Sequence, residues 1–464
     1  MPPKSREGSL HPPKRKQIGR RDFLKRSLKG SATAGLATVG LPAIVPSTVF
    51  GADGKTPPND RITIACIGWG QMGPNDTMQL INSPEIQVVA VCDVDRPRAL
   101  KAKKVIEDFY SAHSSYTHYQ GCETSGDFRE IIERDDIDAV IVATPDHWHV
   151  PIAMAAARAG KDIYCEKPLS LTVTEGRKLV DGVKRYGRVL QVGSQSRSLP
   201  TIKHACELVL NGYIGEVHTV KVGLPETPYH PVQPEMPIPE GFDYDMWLGP
   251  APWAPYTEKR CHVEYRWILD YSDGMIADWG AHQLDIAQWG LGMQYSGPVE
   301  FEGQGTFPRN GLTTAATQFH IEMKYANGVR LLCSTSLRGG TTFEGTEGWI
   351  YASHGGAFAA SDERLKKLVL KSSDKRLYGD LVAPVPKLTA HRQDFIDCVR
   401  SRRIPIAPVE VGHRSATVCH LANIAMLRGR KIRWDSQSES VLDDTIANRM
   451  LSRESRAPWD IAFI

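Results

Sequence analysis

No stretch of these 464 residues is apolar enough, for long enough, to cross a membrane; the mildest candidate, Ser31 to Val49, is diluted by Gly, Thr and Pro. Nine cysteines form no CxxC pair and show no finger spacing, so neither a disulfide framework nor a zinc ribbon is in prospect. Cys66 and Cys92 sit inside apolar runs, as buried small residues do. A basic stripe is missing too. Residues 1–51 hold ten Lys/Arg against two Asp/Glu, a net of +8 where the whole chain has +3, so the remainder carries −5. A mildly acidic body argues against nucleic acid as a partner. No internal repeat, heptad or low-complexity tract appears, which excludes solenoids and coiled coils.

What is present suffices for two or three domains with cores. The first fifty residues read as an address. "GRRDFLKR" places Arg20 and Arg21 ahead of Phe23, Leu24 and Lys25, the apolar stretch follows, and "VFGADG" offers small residues for cleavage after Gly51. This pattern predicts a twin-arginine export signal over residues 1–51 and a periplasmic destination. Export by that route follows folding, so a cofactor is loaded inside the cell and stays tightly bound.

"RITIACIGWGQMG" is an apolar strand from Ile62 to Ile67 running into Gly68, Gly70 and Gly73 at G-x-G-x-x-G spacing, with a helical stretch after it. A second strand, "IQVVAVCDVD", ends at Asp93, twenty residues beyond Gly73. The glycines permit a tight turn and close approach of backbone to a pyrophosphate, and the helix N-terminus faces the anion. Asp93 is placed to bind ribose hydroxyls and repels a 2′-phosphate, which selects NAD; Arg96 and Arg98, just after it, leave NADP open. The pattern repeats in "DIDAVIVATPDHWH", where a buried strand meets a turn, and again in a short strand ending in Glu166-Lys167-Pro168. Ligands of open α/β sheets gather at the carboxyl ends of strands, where His147, Trp148, His149, Glu166 and Lys167 fall.

Further on, "GMIADWGAHQLD" (274–285) spaces Asp278, His282 and Asp285 along one helical face. Taken alone, that face is equally a catalytic base with its orienting acid, a metal site, or the polar side of a buried helix. A metal would need further ligands, and no neighbouring His/Cys/Asp cluster supplies them.

G-x-G-x-x-G, "ATPDHWH", "CEKP" and "DGxxxDxGxHxxD", in this order, resemble the glucose–fructose oxidoreductase and inositol dehydrogenase family (Gfo/Idh/MocA). The resemblance runs from about Arg61 to the end; in the last motif Asp273-Gly274 stands where the family has a Gly pair. It implies an α/β protein: a Rossmann dinucleotide-binding domain over residues 60–188 and a C-terminal α+β domain over 189–464 with a large open, mostly antiparallel sheet. It implies cofactor contacts from Gly68, Gly70, Gly73, Asp93, Thr144, Pro145, His149, Glu166 and Lys167. Lys167, Asp278 and His282 fall on the family's catalytic positions, and Arg197, Arg266 and Trp267 join Asp278 and His282 near the substrate, with Tyr265 and Asp270 on the same segments. The chemistry agrees: a neutral His accepts the hydroxyl proton as hydride leaves carbon, a Lys stabilises alkoxide character, and Asp278 orients them.

The expectation is an exported NAD(P)-dependent oxidoreductase acting on a sugar or cyclitol, its partners the export machinery and further copies of itself through the outer sheet face. Two alternatives remain at this stage. One is a glycoside-cleaving enzyme that oxidises the ring transiently on bound NAD and then eliminates a substituent; the other is a non-catalytic sugar-binding protein.

Overall fold

The computed structural model describes residues 60–113, 119–377 and 389–459; the predicted export signal lies outside them. Six strands, β1 (Ile62–Ile67), β2 (Ile86–Cys92), β3 (Glu123–Ser125), β4 (Ala139–Val142), β5 (Asp162–Cys165) and β6 (Leu190–Val192), form a sheet in the order β3-β2-β1-β4-β5-β6. Every pairing in it is parallel. The central strands are continuous apolar runs because helices cover both faces. The strand order reverses between β1 and β4, the crevice where doubly wound sheets bind ligands. β6 lies just past the boundary at 188 that the sequence suggests.

Helix boundaries follow local chemistry. The Asp95 side chain accepts from Arg98 N to start the helix Arg96–Ser111. Thr172 and Glu175 form a capping box on Val173–Tyr186, which Gly187 ends in the left-handed conformation.

The second sheet has nine strands: β7 (Val217–Gly223), β8 (Glu300–Thr306), β9 (Gln318–Lys324), β10 (Arg330–Ser334), β11 (Gly340–Gly345), β12 (Gly348–Ser353), β13 (Ala357–Ala360), β14 (Ile432–Asp435) and β15 (Ser440–Leu442). Their order is β13-β12-β11-β7-β10-β9-β8-β14-β15, antiparallel except where β7 meets β10. The Asn327-Gly328 turn joins β9 to β10 as the sequence suggests, with Gly328 at φ +89°. β9 alternates buried and exposed residues, so one face is covered and the other polar. Helices Pro200–Leu210, Gly280–Gly290 and Val409–Arg428 supply the covering side chains, among them Ile202, Leu284, Trp289 and Leu421. The amphipathic helix Thr389–Ser401 packs elsewhere: Phe395 and Ile396 join Ile62, Ile64 and Leu80 in the core of the parallel domain. Its apolar face fits either partner, and periodicity alone does not choose.

All nine cysteines are buried and no disulfide joins them. Among the described residues no helix is long and apolar enough to cross a membrane.

Candidate active site

A cleft of about 1010 Å³, open mouth included, crosses the carboxyl ends of β2, β1, β4 and β5, from Asp93 and Arg98 to Lys167 and Arg266. Its floor is the glycine turn. Gly68 has φ +95°, and a Cβ there would lie 2.6 Å from Ala143 O; a Cβ on Gly73 would lie 2.0 Å from Gly68 O. Both positions therefore require glycine. At Gly70 the nearest atom is Arg98 Nη1 at 3.8 Å, which leaves its backbone open to the cleft. The helix Gly73–Leu80 begins with no side-chain cap, as a site for a pyrophosphate requires.

The Asp93 carboxylate is oriented by two main-chain donors, Trp69 N at 2.7 Å and Asp95 N at 2.9 Å. Burial nevertheless raises its pKa above the ordinary carboxylate value. Arg98 lines the cleft with its Nε on Asp95 Oδ2 at 3.1 Å, so a carboxylate already engages it. These residues fit an NAD-type dinucleotide.

Thr144, Pro145, His149, Glu166 and Lys167 all line the same cleft. His149 is buried between two carbonyls, with Nδ1 2.7 Å from Pro168 O and Nε2 2.9 Å from Thr144 O, so it ties the β4 turn to the Lys167-Pro168 turn. His147 and Trp148 reach away from the floor: His147 Nε2 and Trp148 Nε1 both bond Trp247 O, holding the segment that carries Phe242, Met246 and Trp247 over the cleft. Glu166 is deeper. Burial and the neighbouring Asp76 push its carboxyl up to about 8. Gln195 Nε2 donates to Glu166 Oε1 at 2.8 Å, Arg392 donates to Asp76, and Gly193 leaves the space that the Glu166 carboxyl fills.

At the far end Lys167 Nζ donates to Asp278 Oδ1 at 2.7 Å and to Asp278 O at 2.9 Å. Arg266 Nε lies 3.4 Å from the same Oδ1. Burial pushes the Asp278 carboxyl up, but Lys167 and Arg266 outweigh it and hold the pKa below the ordinary value. His282 is buried and its Nδ1 has no hydrogen-bond partner among the described residues. Burial, then Lys167, then His354 press its pKa well below 6.5, so the ring is neutral.

The predicted residues separate at this point. Asp278 and His282 do not share one helix: Met275–Asp278 ends at Trp279, and Gly280–Gly290 begins there. Asp278 bonds Lys167 and not His282, so its expected role as orienter of the imidazole has no hydrogen bond behind it. Arg197 is not free to meet a substrate. It is 1 % exposed, bonds Asp285 through Nε (2.8 Å) and Nη2 (2.7 Å), and gives Nη1 to Gln294. Trp267 is buried in the core under the second sheet with Nε1 on Glu264. Arg266 and Tyr265 do reach the cleft, Tyr265 OH donating to Asp146 Oδ1 at 2.8 Å.

Two features escaped the sequence. His354, in the turn between β12 and β13, stacks on His282 with ring centroids 4.0 Å apart. Asp273, the departure from the Gly pair, is buried and receives His420 Nδ1 (2.6 Å), Asn423 Nδ2 (3.0 Å) and Arg453 Nη2 (3.0 Å). Among the described residues, no three His, Cys, Asp or Glu side chains gather as a metal site would require.

Fold and cleft define a dinucleotide-binding α/β protein whose reactive side chains stand at the carboxyl ends of parallel strands. Residues 62–194 match the NAD-binding Rossmann-fold domain, and residues 229–461 the C-terminal alpha/beta domain, of one oxidoreductase family. The chain belongs to the Gfo/Idh/MocA oxidoreductase family, and its first domain is the family's NAD-binding domain. Among curated proteins it is similar to a glycosyl hydrolase family 109 protein of Shewanella sp. (strain W3-18-1), 32% identical over 182 residues, 36% of this chain and 37% of that protein. It is also similar to the uncharacterized oxidoreductase YrbE of Bacillus subtilis (strain 168), 29% identical over 234 residues, 50% of this chain and 55% of that one. The matched part thus spans between a third and rather more than half of these relatives' length. Among solved structures the fold resembles a levoglucosan dehydrogenase in complex with NADH and levoglucosan (19% identity, 80% of this chain, 99% of that one, TM-score 0.59). It also resembles an aldose-aldose oxidoreductase from Caulobacter crescentus complexed with glycerol (19%, 80% and 99%, TM-score 0.58).

Proposed function

We propose that this protein transfers hydride between bound NAD and a hydroxyl-bearing carbon of a sugar or cyclitol. The observation that carries the reading is a pinned ammonium at one end of the dinucleotide cleft, with a neutral, buried imidazole near enough to feel its charge. Nicotinamide, when bound, supplies the hydride acceptor or donor. An ammonium has three N–H groups; Lys167 gives two to Asp278, and the third is left for the reacting oxygen, where it stabilises developing alkoxide charge. His282, held neutral by burial and by Lys167, takes the hydroxyl proton. Asp278 stays ionised and fixes Lys167 and Arg266 together, so it positions the ammonium and not the base.

The substrate class is supported by the names of the structural neighbours, which include a dehydrogenase of levoglucosan and an oxidoreductase of aldoses. The experiment is to load the purified protein with NAD, add a panel of aldoses, anhydrosugars and inositols, and follow the reduced-nicotinamide absorbance band. Reduction by one or more members supports the reading; none by any member contradicts it.

A second reading is favoured by the curated relatives, several of which are glycosyl hydrolase family 109 proteins. NAD, when bound, would supply a transient hydride acceptor for a ring carbon; a base of this chain would take the acidified proton of the adjacent carbon as the glycosidic substituent leaves, and addition of water with return of the hydride would close the cycle. Release of a leaving group from an aryl glycoside without net NADH separates the two. The export signal over residues 1–51 and a periplasmic location belong to the same proposal, on the strength of Arg20, Arg21 and the apolar stretch that follows.

A further inference from the structure

Near Lys167, whose charge acts on both imidazoles, stand three rings that no single motif brings together. His282 and His354 stack with centroids 4.0 Å apart and planes 24° from parallel. The Trp279 indole stands steeply inclined to both, 6.4 Å from His282 at 73° and 5.8 Å from His354 at 89°. The rings therefore make a corner, with the imidazole pair as one wall and the indole as the other. Trp279 is 39 % exposed, unusual for a large aromatic beside buried charge.

His354 is fixed from behind. Ser196 Oγ lies 2.8 Å from its Nδ1, and Gly355 and Gly356, with φ +98° and +90°, turn the β12–β13 connection sharply enough to present the ring. With Nδ1 engaged, Nε2 is the nitrogen left for a ligand. Burial and Lys167 lower the His354 pKa, as they do that of His282, so the second ring is also a neutral hydrogen-bonding group. The charged neighbours acting on the pair are Lys167, held by Asp278, with Arg266 behind that carboxylate.

We infer that Trp279, His354 and His282 form a recognition corner for a hydroxylated ring: the ring's C–H face lies on the indole, one hydroxyl meets His282, and the hydroxyl on the neighbouring carbon meets His354. This deepens the proposed function and rests on reading His282 as the group that meets the reacting hydroxyl. It assigns His354 a substrate contact and names the ligand class as cyclic polyols with adjacent hydroxyls. Glycerol has adjacent hydroxyls without a ring, and cyclohexanol has a ring without a second hydroxyl; neither fills both walls.

The test is isothermal titration of the NAD-loaded full chain with myo-inositol, methyl glucoside, glycerol and cyclohexanol, with nicotinamide absorbance read in the same samples. Saturable binding of at least one of the two cyclic polyols, and of neither glycerol nor cyclohexanol, is expected. Trp279→Ala should weaken it about three- to tenfold, the size of a lost aromatic contact. His354→Ala should weaken it similarly through a lost hydrogen bond, and His354→Gln, which keeps a polar arm, should weaken it less. Melting temperature and bound NAD serve as folding controls, and Trp279, being exposed, keeps the test intact should a His354 variant fail to fold. Binding of the polyols by Trp279→Ala and His354→Ala as tight as by the parent overturns the inference, as does a parent that binds neither polyol. Polyols that bind through the corner without reducing NAD leave the inference standing and contradict the proposed hydride transfer instead.

Discussion

Lys167 lines the cleft and its charge reaches His282 from the other domain, and protonation decides what each can do. A base must be unprotonated to work. Because burial, Lys167 and His354 press the His282 pKa well below 6.5, the acidic limb of the pH–rate profile should lie well below that value. A limb at or above 6.5 would show that another group accepts the proton. Glu166 is the opposite case. Burial and Asp76 raise its carboxyl from 4.5 to about 8, so between those values the folded chain holds a proton that the unfolded chain has released. Stability is then full below about 4.5, falls as pH rises through that window, and levels off above about 8. Glu166→Gln should remove this slope, which melting temperature against pH for both proteins measures; parallel curves would contradict it. The glycine turn, Asp93 and the Lys167 turn were legible in the sequence because each is local: a few consecutive residues set strand end, turn and helix start. Arg197 was misread for the converse reason. A cation near a pocket motif does not reveal that Asp285, 88 positions away, has already taken it. His354 gave no signal at all, since its neighbours Ser196 and His282 come from other parts of the chain.

The stretch 274–285, one helical face in the sequence, is two short helices hinged at Trp279, and its acids serve different ends. Asp285 is structural: with Arg197 it forms a bidentate pair in which both side chains are 1 % exposed, and Ser415 Oγ adds a bond at 2.7 Å. Arg197→Ala leaves that carboxylate buried and uncompensated, so it should cost about 3–5 kcal/mol in urea unfolding. A loss under about 1 kcal/mol, small even for a surface pair, accompanied by weaker sugar binding would return Arg197 to the substrate. Asp273 anchors the start of the first short helix to the long helix Val409–Arg428 through His420 and Asn423. Ser170 Oγ lies 3.4 Å from His420 Nε2, which gives the outline of a Ser–His–Asp triad. Ser170 is fully buried, however, and no substrate reaches it. The line works as a lock that holds the Lys167 turn and the Asp278 helix in register. Sequence spacing showed neither lock, because each joins elements more than eighty positions apart.

Fold class was legible almost entirely, since a dinucleotide sheet announces itself through apolar strands that end in Gly and Asp, and the second sheet through alternation. The placement of the helix Thr389–Ser401 was not, because its apolar face suits either core. The segment Phe242–Trp247, held by His147 and Trp148, supplies Phe242, Met246 and Trp247 to the lining of the cleft. If residues 1–51 are read by the twin-arginine route, replacing Arg20 and Arg21 with Lys should leave folded precursor in the cytoplasm. Equal export of mutant and parent, scored by fractionation, would contradict it. The account's central claim is that Lys167 and His282 act on one reacting oxygen beside NAD. Single-turnover reduction of bound NAD by an accepted sugar tests it most directly. His282→Ala should slow that step about 10²- to 10⁴-fold with NAD content unchanged. Lys167→Ala should slow it too, and the double variant by less than the product of the two. A His282→Ala protein that reduces NAD at the parent's rate would contradict the claim.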